Sequence, residues 1–256
     1  MTLIRVFHAE LLKMKRTSAW KMVVLCPALV TAMVFFVAYQ APFSTLHLDG
    51  VRNEWPKLAR SILWFWTFLM MPLYITLQTA VMAGLDHSEN HWKSLLARPV
   101  PRWTLYVAKL IAVLVLFACS MLVLVAGIFL AGAVLPWIQP EVVFGYPVPW
   151  ARIVRDAANI AGLAFLALTL QYWVSVRWRS FSIAMGFGMT AAVVGFFSVA
   201  VGQQLGGWPQ YVPWALPMLV LAKQPHSIGA ALSLGGVLGL LASAIGCWDF
   251  CRREVQ

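Results

Sequence analysis

The chain has 256 residues, 61% of them hydrophobic and only 11% charged, with a mean hydropathy of +0.79. A soluble domain carries about 25% charged residues, and a fold of this length could not hide so much apolar surface from water. The formal net charge of +10 does not point to nucleic acid, because the lysines and arginines fall in short clusters between apolar runs and no basic helix carries base-reading side chains.

Residues 1–21 form a basic amphipathic opening. Ile4, Phe7, Leu11 and Met14 recur at helical spacing while Arg5, Lys13, Lys15 and Arg16 supply the polar side, which predicts an interfacial helix on an anionic membrane surface. The apolar run behind it is too long for a signal-peptide core, and Val37-Ala38-Tyr39-Gln40-Ala41 lacks a small-x-small cleavage pattern. Residues 22–39 therefore read as a retained first span, bent at Pro27. After a mixed polar loop, residues 61–83 cross back, with Pro72 as the expected kink.

Residues 84–103 are the long polar interruption between two strongly apolar segments. Gly84 is expected to stop the preceding helix. Asp86 and Glu89 form a carboxylate version of the capping box, opening a short helix from Asp86 to Ala97 with Leu85, Trp92 and Leu96 on one face and Leu95 beside them. Arg98-Pro99-Val100-Pro101-Arg102 ends it, since each proline removes a donor and restrains the residue before it.

Residues 104–135 are apolar for longer than the roughly 20 residues a bilayer needs, so this third span is tilted or extends beyond the membrane. A fourth span, 153–176, is polar at its outer end, where Arg152, Arg155, Asp156 and Asn159 cluster. Residues 181–201 are the fifth span. In 202–227, Pro209, Pro213 and Pro217 would each cost about 3 kcal/mol inside a regular helix, so this segment is expected to be re-entrant or interfacial rather than spanning. Residues 228–248 are the last span. The reading is a single all-α polytopic domain of six transmembrane helices.

Six spans put both termini on one side. Of the lysines and arginines, 13 fall on that side and six on the other, so the positive-inside rule places the termini in the cytoplasm. Trp20, Trp103, Trp178 and Trp248 mark the expected inner boundaries, and Trp55, Trp64, Trp137, Trp150 and Trp208 the outer ones.

Little here suggests catalysis. His87 and His91 are four apart, but His-Ser-Glu-Asn-His is not the H-E-x-x-H of a zinc protease, and a cytoplasmic contact surface suits them better. Cys26 and Cys119 fall inside spans and Cys247 and Cys251 one helical turn apart, which gives no disulfide framework. There is no G-x-x-x-x-G-K-[ST] loop for ATP. Gly235 and Gly239 form a small-x-x-x-small pair that reads as helix packing.

A basic amphipathic N-terminal helix, six spans and a first cytoplasmic loop bearing Glu89, Lys93, Leu95, Leu96, Pro99, Arg102 and, further on, Lys109 resemble the membrane subunit of type-2 ABC exporters. The family's usual Gly-Thr before the lysine is replaced by His91-Trp92. The resemblance implies that residues 84–103 carry a coupling helix, with Asp86, His87, Glu89, His91, Trp92, Lys93, Leu95, Leu96 and Arg98 facing a separate ATPase subunit. ATP and magnesium would be bound by that partner, with no cofactor in this chain. It further implies a second permease copy or close relative, contact with membrane lipids, and a bacterial cytoplasmic membrane location. Its small members resemble the bacitracin and lantibiotic self-protection permeases, so the cargo would be a hydrophobic or amphipathic molecule such as an antimicrobial peptide or a lipid-like compound. Two rivals share the topology: a membrane-anchored assembly or maturation factor without an ATPase, and an integral-membrane enzyme using Arg152, Arg155, Asp156 and Asn159.

Overall fold

The computed structural model describes residues 3–14, 17–40, 54–88, 101–138, 148–178, 180–202, 212–221 and 228–252, and among these there is no strand. Among the described residues, six stretches are long and apolar enough to cross a membrane: Ser18–Gln40, Trp55–Gly84, Arg102–Ile138, Trp150–Arg177, Phe181–Val201 and Ile228–Arg252.

Helix α1 (Leu3–Met14) precedes helix α2 (Ser18–Gln40). The backbone N–H and the hydroxyl of Thr17 both donate to the Met14 carbonyl at 2.8 Å, closing α1 there. The interfacial helix is thus shorter than the expected 1–21, and Trp20 and Lys21 belong to the first turn of α2. Within α2, the Thr31 hydroxyl donates to the Pro27 carbonyl at 2.9 Å.

The second crossing is α3 (Trp55–Phe65) and α4 (Met71–Ser88), joined by a π-turn at Trp66–Met70. Pro72 follows that turn directly. It has no N–H to offer the carbonyl one turn back, and the wider turn absorbs the mismatch. Gly84 does not stop the helix, contrary to expectation, because α4 continues through it to Ser88. A glycine inside a helix costs only about 1 kcal/mol relative to alanine, which is less than breaking the hydrogen-bond ladder beside a membrane. Asp86 and His87 therefore lie in the last turn of α4 and do not open a new helix. The rest of the expected Asp86–Ala97 helix lies outside the described residues.

Helix α5 (Arg102–Ile138) has 37 residues, or about 55 Å at 1.5 Å per residue, and outreaches a hydrocarbon layer of about 30 Å. Helices α6 (Trp150–Arg177), α7 (Phe181–Gly202) and α8 (Ile228–Arg252) complete the bundle. Between α7 and α8 a turn leads into a 3-10 helix at Leu216–Val220. There the expected re-entrant region has no spanning helix among its described residues. Pro213 and Pro217 occupy turn and helix-start positions that need no N–H donor.

The core runs along α5, where Leu116, Leu124, Trp66, Tyr74, Tyr106 and Tyr172 are fully buried. Helix α8 lies on α6 through a stripe of Gly235, Gly239, Ala242 and Gly246. Gly239 meets the Phe165 ring and Gly246 meets Tyr106 and Trp173, so no side chain fits at either position. Some of the polar groups buried between α4, α6 and α7 are paired: the Ser175 hydroxyl donates to Thr79 Oγ1 at 3.1 Å and Gln171 Nε2 donates to the Ala184 carbonyl at 2.9 Å, while Gln171 Oε1 and the Gln78 amide have no partner among the described residues. The outward faces carry large apolar side chains such as Leu122, Leu130, Phe197 and Leu240, as a bilayer requires.

Candidate functional site

One end of the bundle gathers α1, the start of α5, the end of α6 and the end of α8, and the start of α5 is where the polar loop re-enters the bundle. Helix α1 does not simply float on a surface. Val6 is buried against Leu105 and Ala108 of α5, with Leu3 and Phe7 packed beside them. On the same stripe Glu10 is buried, and its Oε2 accepts from Lys109 Nζ at 3.0 Å, with both side chains less than a tenth exposed. A buried pair of this kind adds little net stability, but removing one partner strands a charge.

Helix α8 grips the same root. Arg102 Nη1 donates to the Cys251 carbonyl at 3.3 Å. The Tyr106 ring lies 5.7 Å from that of Phe250, and the Tyr172 hydroxyl of α6 donates to the Tyr106 carbonyl at 3.2 Å. Asp249 ties α8 to α6, accepting from Trp173 Nε1 at 3.2 Å and lying 3.6 Å from Arg177 Nε. The helix that leaves the loop is therefore locked to both terminal helices and to α6. Displacing its first two turns moves four elements together.

Arg5 is exposed on α1 and Lys13 half-buried, so the basic residues lie off the packed stripe. The side chains of Asp86 and His87 and all of Lys15, Arg16, Glu89, His91, Trp92, Lys93, Leu95, Leu96 and Arg98 lie outside the described residues. At the opposite end, Arg152 and Arg155 are exposed and Asp156 and Asn159 half-buried at the start of α6, with Arg152 Nε 3.9 Å from Asp156 Oδ2. Arg60 joins this group, donating from Nη2 to the Leu221 carbonyl at 2.8 Å.

Glu10 and Arg60 are the residues that the sequence reading did not single out. A signal existed for Glu10: it stands four residues from both Val6 and Met14, in line with a buried stripe. Lys109 is likewise a lone charge inside an apolar run, a position that calls for a partner. Trp55, the first residue of α3, is buried against Gly132 and Phe129. Among the described residues, no three His, Cys, Asp or Glu side chains come together to hold a metal ion, and all four cysteines are free.

An all-α bundle with six helices fit to cross a membrane among its described residues, and with the start of α5 held by α1, α6 and α8, is a polytopic membrane protein. The family model described as ABC-2 family transporter protein matches residues 6–198, from α1 to near the end of α7. The chain belongs to that family and is a transport subunit. The comparison with curated proteins gives no match.

Proposed function

We propose that this chain is the transmembrane subunit of an ATP-binding-cassette exporter, with ATP hydrolysed by a separate subunit docked on residues 84–103. In this reading both termini face the cytoplasm of a bacterial cell, and two permease chains enclose the path. The observation that carries it is the locked root of α5, where Lys109 meets Glu10 and Arg102 meets Cys251. A loop that receives force needs a rigid connection to the spans, and this root supplies one.

The mechanism follows from that connection. When ATP binding closes the paired ATPases, the docked loop shifts, and α5 carries the shift to α1, α6 and α8 as one body. The spans then repack between discrete arrangements, since close-packed interfaces switch rather than stretch. Helix α7 is buried over less of its length than α6, 22% against 50%, and so loses less packing by moving. Few charges and many aromatic side chains along the spans suit a hydrophobic or amphipathic cargo, such as an antimicrobial peptide or a lipid-like molecule.

The test is co-purification of the tagged chain with its native neighbours in mild detergent, followed by mass spectrometry. A stoichiometric soluble subunit carrying a phosphate-binding loop is the expected result. A chain that purifies without one contradicts the exporter reading and favours an assembly factor.

A further inference from the structure

At the end of the bundle opposite the termini, two hollows share Leu221 as a wall. The first, of about 480 Å³, is lined by Arg60, Arg152, Arg155 and a single acid, Asp156, with apolar residues for the rest. Three guanidiniums against one carboxylate leave a formal charge of +2. Arg60 is fixed by its bond to the Leu221 carbonyl, Arg152 lies 3.9 Å from Asp156, and Arg155 makes no hydrogen bond or ion pair among the described residues.

The second hollow, of about 290 Å³, is apolar and aromatic, lined by Trp64, Thr67, Phe68, Phe196 and Met218 among others. Trp64 stacks on Phe68 at 4.6 Å, and Phe196 meets Phe68 edge-on at 4.3 Å. Thr67 is 1% exposed, and its hydroxyl has no hydrogen-bond partner among the described residues. By contrast, the hydroxyls of Thr76, Thr79 and Thr169 all donate to carbonyls one turn back, at 2.8–2.9 Å. A buried hydroxyl left unpaired is destabilising, and Thr67 stands in the wall of this hollow.

We propose that the two hollows together bind one anionic amphiphile, its phosphate group among the three arginines and its apolar part against Trp64, Phe68 and Phe196. The planar fork of arginine matches phosphate geometry, and a phosphate monoester carries about −1.5 to −2 at neutral pH, close to the +2 of the cleft. Trp64 lies four residues beyond Arg60 on α3, about 6 Å further along the helix. That step separates the phosphate of a phospholipid from its first acyl carbons. The proposal deepens the exporter reading by naming a cargo class, and rests on that reading for the lipid's role as cargo and for assigning this end to the outer leaflet.

The test uses the full chain in neutral detergent and a fluorescent short-chain phosphatidic acid, with phosphatidylcholine of the same chain length, inorganic phosphate and a cationic amphipathic peptide as competitors. Phosphatidic acid is expected to bind at least about tenfold more tightly than phosphatidylcholine, inorganic phosphate to compete only at far higher concentration, and the peptide not to compete. Arg155→Gln, at an exposed position whose loss leaves the fold intact, should weaken phosphatidic acid at least threefold, and Arg60→Gln with Arg155→Gln at least tenfold. Phe196→Ala should weaken the lipid and leave inorganic phosphate unchanged. Equal binding of the two lipids, indifference to Arg155→Gln, phosphate competing as well as the lipid, or tighter binding of the peptide would each overturn it. No ATPase is needed in this assay, so a chain that binds the acid but recruits no ATPase refutes the exporter reading alone.

Discussion

Glu10 and Lys109 decide more than any other pair how α1 behaves. Both are buried, so Lys109→Met leaves a carboxylate without its ammonium and should cost about 3–5 kcal/mol, as should Glu10→Leu. The double variant Glu10→Leu with Lys109→Met should recover most of that loss. Thermal unfolding of the four proteins in one detergent reads the cycle, and additive single effects would show that the pair is not coupled. Asp249 is a second such point, since it receives both Trp173 and Arg177. Asp249→Asn keeps an acceptor for the indole and loses the charge, so it should destabilise less than Asp249→Ala. At this scale the sequence says little by itself. Arg60 and Leu221 are 161 positions apart and Lys109 and Glu10 are 99 apart, and no local pattern names such partners.

Elements were easier to read, because twenty apolar residues in a row have few alternatives to a spanning helix. Residues 181–201 were expected to span and α7 is Phe181–Gly202; residues 104–135 lie within α5. The misreadings concern stops. Gly84 and the Asp86–Glu89 pattern resemble a helix end and a new cap, yet the ladder continues, since one glycine is a small cost where unpaired backbone is a large one. Glycine does matter where two helices touch. Gly239→Leu and Gly246→Leu should drive α8 off Phe165 and off Tyr106 and Trp173, lowering the yield of monodisperse protein several-fold. Gly236, one residue from the stripe, has nothing within 4 Å of an added Cβ, so Gly236→Leu should behave as wild type by size-exclusion chromatography. Equal loss in all three would mean that α8 does not sit on α6 through this face.

For the whole molecule, α1 and the last turn of α8 lie at the end that holds Arg102, Arg177 and Asp249. With the native cysteines replaced by serine, single cysteines at Lys13 and Arg252 should be labelled by a membrane-impermeant maleimide only after cells are permeabilised, and one at Arg155 in intact cells. Labelling of positions 13 and 252 in intact cells, with position 155 reached only after permeabilisation, would reverse the proposed orientation. Which loop receives an ATPase is the claim on which the mechanism depends, and the resemblance of residues 84–103 to a coupling loop was legible only as a short motif. The most direct measurement is site-specific photo-crosslinking in cells from position 93, in that loop, and from position 57, at the far end of the bundle. The account predicts a crosslink from position 93 to a soluble subunit carrying a phosphate-binding loop and none from position 57. Crosslinks from neither position, or from position 57 alone, would contradict it.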